Sequence, residues 1–172
     1  MEKRLILFRH GKSDWETNAA TDHARPLAKR GIKAARTMGT VLATAGQLPQ
    51  QVVTSSAVRA RTTVELAAIA GQWQCPVRVT DDLYEASCEQ VLDVIHQIPE
   101  AIGTLLLAGH EPTWSQLTAR LVGGGLVRVP TAAMVRIDFE AGGWSQVTWG
   151  SGQLIWLLQP KFFTKGQFDF LT

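Results

Sequence analysis

Cysteine is scarce in this chain: Cys75 and Cys88 are the only two, and they have no CxxC spacing. Such a pair supports neither a disulfide framework nor a thiolate zinc site, and a reduced cytoplasmic setting is the expectation. Charge is thin as well. Lys and Arg number 17 against 15 Asp and Glu, a formal net charge of +2. The charges form no basic stripe, so no nucleic-acid partner is expected. Long apolar runs are missing. Glu2, Lys3 and Arg4 precede only the short run Leu5-Ile6-Leu7-Phe8, which reads as neither a signal peptide nor a membrane span. Several chemical signatures are absent too: GxxxxGK(S/T), HExxH and GxSxG do not occur, and Gly123-Gly124-Gly125 reads as a helix stop rather than a dinucleotide loop.

What is present is an ordinary globular composition, 45% apolar in 172 residues, enough for one domain spanning 1–172 with a sizeable core. Leu5 to Phe8 reads as a buried strand of a parallel sheet, followed directly by Arg9-His10-Gly11. Lys12 to Arg25 is polar and irregular. A helix is expected from Pro26, closed by Gly46 and Pro49, and then a second strand at Gln51-Val52-Val53-Thr54. Ser55 or Ser56 is the expected cap of a helix running to about Gly71. Pro76 to Val79 reads as strand three, Val91 to Ile98 as a helix, and Thr104 to Ala108 as strand four before Gly109-His110-Glu111-Pro112. Pro112 suits the first turn of another helix.

The last third changes character. Ala133–Phe139, Trp144–Trp149 and Leu154–Leu158 are three strand-like segments joined by Gly-rich connections, expected to add antiparallel strands. The tail from Lys161, with Phe162, Phe163, Phe168 and Phe170, is expected to dock on the surface. Strand–helix alternation followed by such strands predicts a three-layer α/β/α sandwich.

On this outline the chemistry collects at one edge. Arg9 and His10 follow strand one, Arg59 sits in the first turn after strand two, Glu85 follows strand three, and His110 follows strand four. Ligands bind outside the carboxyl ends of parallel strands, so these residues can meet in one pocket. Gly11 would let the backbone turn sharply there. Two Arg and two His make an anion site, and with no carboxylate cluster to ligate a metal the expected anion is a phosphoryl group bound without Mg²⁺. No cofactor is implied. Each residue also has a plainer reading. Arg59 could be a solvated helix residue, as Arg61 is expected to be, His110 a core histidine, and Glu85 a solvated loop acid. His23 and His96 read as bystanders, and the six Trp as packing.

The chain resembles the histidine phosphatase superfamily. The resemblance rests on Arg9-His10-Gly11, on Ser55-Ser56-Ala57-Val58-Arg59-Ala60-Arg61-Thr62, and on Gly109-His110. Lys12-Ser13-Asp14-Trp15, Arg25-Pro26-Leu27 with Arg30-Gly31, Leu83-Tyr84-Glu85-Ala86-Ser87 and Gln159-Pro160-Lys161 look like the small SixA-type phosphohistidine phosphatases. The resemblance implies a phosphoglycerate mutase-like fold with a mostly parallel sheet. It also implies that His10 is the nucleophile and becomes phosphorylated, that Arg9, Gly11, Arg59 and His110 bind the phosphoryl group, and that Glu85 is the general acid and base, with Asp81 and Asp82 as runners-up. Lys12 and Glu16 stand where many mutase-like members have Glu and Asn, which argues against a mutase. The long insertions that cap the pocket in small-substrate members are lacking, which favours a phosphohistidine-bearing protein as partner. Two rivals stand beside that reading. One is a phosphomonoesterase acting on a small phosphorylated metabolite; the other is a module that binds phosphorylated partners without turnover.

Overall fold

Neighbours in Leu5-Ile6-Leu7-Phe8 point to opposite faces of a strand, and both faces are buried. Leu5 and Leu7 join one apolar cluster, Ile6 and Phe8 another. A strand apolar on both faces needs a covering layer on each side, and the computed structural model, which describes residues 2–164, supplies both. In chain order the elements are β1 (Glu2–Arg9), α1 (Lys29–Thr44), β2 (Gln51–Ser55), α2 (Val58–Gly71), β3 (Val77–Thr80), α3 (Cys88–His96), β4 (Thr104–Gly109), α4 (Thr113–Leu121), β5 (Met134–Glu140), β6 (Gly152–Leu158) and α5 (Lys161–Thr164). The sheet order is β3-β2-β4-β1-β5-β6. Its first four strands are parallel, and β5 and β6 are antiparallel to their neighbours. The three-layer sandwich with a mostly parallel sheet is therefore the observed fold.

Met38 and Leu42 of α1 and Val64 and Ala67 of α2 cover the face bearing Ile6 and Phe8. Val91 and Ile95 of α3, with Trp114, Leu117 and Leu121 of α4, cover the other. The first pair packs backbone against backbone. A Cβ on Gly39 would lie 2.1 Å from the Ala67 carbonyl oxygen, and one on Gly71 would lie 2.3 Å from that of Gly39.

Three expectations need correction. α1 begins at Lys29 rather than Pro26, because the residues before it are engaged elsewhere. Asp14 N–H donates to the Pro26 carbonyl, Ala28 N–H donates to that of Lys12, and Ser13 and Leu27 form an antiparallel bridge. Trp144–Gln146 is a single 3-10 turn, not a strand. The buried Trp144 side chain holds it there, donating its indole N–H to the Ile102 carbonyl at 2.7 Å. Neither Ser55 nor Ser56 caps α2, whose N-cap Ala57 has no side-chain bond. Of the tail, Phe163 packs against the α1–α2 side of the core while Phe162 stays exposed, and Phe168 and Phe170 lie outside the described residues. Among the described residues no helix is long and apolar enough to cross a membrane.

Candidate active site

β1 and β4 are neighbours paired in register, with Arg9 opposite Gly109. The next residue of each strand is a histidine, so His10 and His110 leave the sheet side by side, ring centroids 5.1 Å apart. One backbone bond ties the exits together, from His10 N–H to the Gly109 carbonyl. β2 flanks β4 on the other side and brings Ser55, whose Oγ lies 2.8 Å from His110 Nε2. Arg59, in the first turn of α2, enters from above the end of β2. Arg9, His10, Arg59 and His110 line one cavity of about 270 Å³, as the sequence predicts.

The protonation of this group follows from its bonds. His10 Nδ1 lies 2.7 Å from the Gly11 carbonyl oxygen, which can only accept, so Nδ1 carries the proton and Nε2 keeps its lone pair. Burial pushes the His10 imidazole down to about 4; the Arg59 and Arg9 guanidiniums add to that, while the bond to Gly11 works against it. Burial also pushes His110 down to about 3, assisted by His10 and Arg59. Both rings are neutral at pH 7. Ser55 Oγ accepts the Ala57 N–H at 3.3 Å and has its own proton to offer His110 Nε2, a bond that would put the proton of the neutral ring on Nδ1. That Nδ1 and the Arg9 Nε are buried and have no partner among the described residues. Arg9 Nη1 is held at 2.8 Å by the Val129 carbonyl.

Gly11 is needed for closeness rather than for a turn. Its backbone avoids the left-handed region, and a Cβ there would lie 2.8 Å from the Gly31 carbonyl oxygen of α1. Its N–H donates to Thr63 Oγ1 at 3.0 Å, and Thr63 in turn donates to the Arg59 carbonyl. Thr63 lies one helical turn from Arg59, the spacing that could have identified it.

Asp22 carries more of the site than its sequence context shows. Its carboxylate accepts from Arg59 Nη2 at 2.9 Å and from the Tyr84 hydroxyl at 3.1 Å, and its carbonyl accepts from Arg59 Nη1 at 2.7 Å. Partial burial works against ionisation, but the bonds and charge of Arg59 hold the carboxyl below the usual carboxylate range. It sits in an irregular loop with no periodicity, and no sequence signal marks it. The same loop places Trp15 at the rim, 70% exposed, with the Arg25 guanidinium 3.4 Å from its ring centroid. His23 lines neither the cavity that holds His10 nor the one beside it; its Nε2 lies 2.8 Å from Ser56 Oγ, and its ring meets Tyr84 edge-on, as Tyr84 meets His110. His96 bonds the Val147 carbonyl, away from the site.

Glu85 does not line the cavity that holds His10. It lines an adjoining one of about 610 Å³ that shares Asp22, Arg59, His110 and Glu111 with the first. Its backbone is left-handed, with φ of 53°. Asp81 and Asp82 line neither cavity, and Asp82 bonds Thr80. Glu111 lines both, its Oε1 accepting the Ser115 N–H at 3.0 Å. Among the described residues no group of three His, Cys, Asp or Glu is arranged to hold a metal ion.

Comparison with known proteins agrees with this geometry. A family model for the histidine phosphatase superfamily, branch 1, matches residues 5–101. An uncharacterised protein of Mycobacterium tuberculosis is 34% identical over 163 residues, covering 90% of this chain and 100% of its own. A solved structure of a candidate phosphohistidine phosphatase SixA from Nakamurella multipartitia superposes with a TM-score of 0.79 at 26% identity, covering 93% of this chain and 97% of that one. A protein histidine phosphatase SixA complexed with tungstate has the same fold, with a TM-score of 0.80 at 22% identity over 93% of this chain and 99% of its own. With more than half of its length matched by the family model and nine tenths by whole relatives, the chain belongs to the histidine phosphatase superfamily and is SixA-like within it.

Proposed function

We propose that this phosphatase works through a phosphohistidine formed on Nε2 of His10, and that its substrate is phosphohistidine in another protein. The observation that carries the reading is the His10 bond to the Gly11 carbonyl: it fixes the tautomer whose Nε2 lone pair is free, beside Arg9, Arg59 and His110. Nε2 attacks phosphorus, the bond from phosphorus to the substrate imidazole breaks, and that imidazole leaves. Water then attacks the phosphoryl group on His10 and releases inorganic phosphate. Arg9 and Arg59 neutralise the phosphoryl oxygens, and His110 closes the same cavity beside them. Gly11 keeps the loop close enough to α1 for His10 to hold its place.

Glu85, from the adjoining cavity, is the proposed proton donor to the leaving group and acceptor from the attacking water. An alcohol needs that proton badly. An imidazole already protonated on its other ring nitrogen, whose conjugate acid has a pKa of about 6.5, leaves neutral and needs it far less, so an acid set back from the nucleophile suits a phosphohistidine substrate. The similarity to a candidate phosphohistidine phosphatase points the same way. A second reading, a small phosphomonoester as substrate, is favoured by Glu111, a carboxylate that lines both cavities. Glu85→Gln separates the two readings. Loss of ester hydrolysis with phosphoramidate hydrolysis retained favours phosphohistidine, and equal loss of both favours the ester.

The test of the nucleophile is a quench experiment with a labelled phosphate donor and chelator present, comparing the native protein with His10→Ala. An acid-labile, base-stable adduct in the native protein alone is the expected result. Absence of adduct and turnover in both, with phosphate still bound, would leave a phospho-binding module.

A further inference from the structure

A third cavity, of about 400 Å³, opens beside the one that holds His10 and shares Lys12 and Thr131 with it. Lys12, Arg30, Lys33 and Lys161 line it, and among the described residues no carboxylate does. None of these four cations takes part in the ion pairs found among the described residues. Arg30 and Lys33 stand three apart on α1 and so share one face of the helix. The first turn of this 16-residue helix contains no acidic residue, and its N-cap Ala28 makes no side-chain bond, so the positive end of the helix dipole adds to the same field. The 610 Å³ cavity, which adjoins the reacting centre without sharing a residue with this cleft, carries Glu85 and Glu111 beside the Asp22–Arg59 pair.

Four cations around one cleft repel each other, and an anionic partner relieves that repulsion. The cleft has room for more than a single phosphate, and it runs from the nucleophile's own loop to α5 at the C-terminal end of the described chain. We propose that it receives an acidic segment of the phosphorylated protein, with carboxylates flanking the phosphohistidine. This rests on the reading that the substrate is phosphohistidine in a protein. The cationic cleft and the cavity that carries Glu85 and Glu111 then set the direction in which the substrate chain lies across the site.

The test uses two phosphohistidine peptides of equal length, one with acidic flanks and one with uncharged flanks. The native protein is compared with the double variant Arg30→Glu, Lys33→Glu, both exposed positions on α1. The native protein is expected to show a KM about tenfold lower for the acidic peptide, the scale of a few weak charge pairs acting together. That advantage shrinks with added salt and disappears in the variant, with kcat unchanged. Hydrolysis of p-nitrophenyl phosphate stays at the native rate in the variant, which separates the cleft from the chemistry. Equal KM for both peptides in the native protein overturns the proposal, as does an equal change for both in the variant. A KM shift for a sugar bisphosphate but not for the peptides assigns the cleft to a second phosphate of a small molecule and also overturns it. If neither the peptides nor p-nitrophenyl phosphate is turned over, the phosphatase reading itself has failed. Fluorescence anisotropy with the unphosphorylated acidic peptide then decides: binding lost in the variant sustains the cleft, and absence of binding to the native protein removes it.

Discussion

His10 and His110 are both held neutral by burial, and pH reads that out in two ways. A histidine in water is half protonated near pH 6.5, whereas His10 titrates at about 4. kcat/KM, corrected for the substrate's own titration, is therefore expected to lack an acid limb near 6.5 and to fall only towards pH 4. A limb at 6.5 would show that the ring is solvated. For stability the sign runs the same way: between the folded and unfolded values the unfolded chain binds more protons, so stability rises with pH there. The contribution of the two rings is fully present above about 6.5 and is lost as pH falls through about 4 for His10 and about 3 for His110. Urea titrations at several pH values check this, with a shallower slope expected for His10→Gln. Ser55→Ala leaves His110 Nε2 without its partner, a cost of about 1–3 kcal/mol for a buried group. Because Ser55 also holds the His110 ring beside His10, kcat is expected to fall by more than KM changes.

Helix contact and loop contact separate cleanly at two glycines. Gly39→Ala drives a methyl into the Ala67 carbonyl of α2 and is expected to cost about 2–4 kcal/mol while leaving kcat/KM of the folded protein near native. Gly11→Ala presses the loop of the nucleophile away from Gly31 and is expected to cut kcat with a smaller effect on stability. Denaturant midpoints and turnover, measured side by side, distinguish the two. The strand–helix units were legible in the sequence because their apolar spacing is set by burial, and the residues just past β1 and β4 were legible because strand ends are marked by where that spacing stops. Trp144 was misread as strand because an apolar, aromatic stretch looks alike whether it lies in a ladder or plugs the core through a single indole bond to Ile102. Leu27 looked helical but spends itself on the bridge to Ser13. Asp22 was invisible because Arg59 and Tyr84, its partners in the site, lie 37 and 62 residues away, and its local ion pair with Arg25 points to neither.

Across the whole molecule, four parallel strands hold their carboxyl ends at one edge, and any anion bound there stabilises the folded chain alone. At a hundredfold excess over its dissociation constant, inorganic phosphate is expected to add about 2.7 kcal/mol, a rise of several degrees in Tm for a chain of this size. Arg59→Ala is expected to abolish most of that shift, which thermal melts with and without phosphate will show; an unchanged shift would mean that the ion binds elsewhere. The sheet order has a further consequence. β1 lies between β4 and β5, which follow it by about 100 and about 130 residues. On the ribosome, at roughly 5–20 residues per second, β1 therefore waits several seconds with neither edge paired. The surroundings of His10 are complete only once Thr104 to Gly109 lies between β1 and β2 and brings His110 beside it.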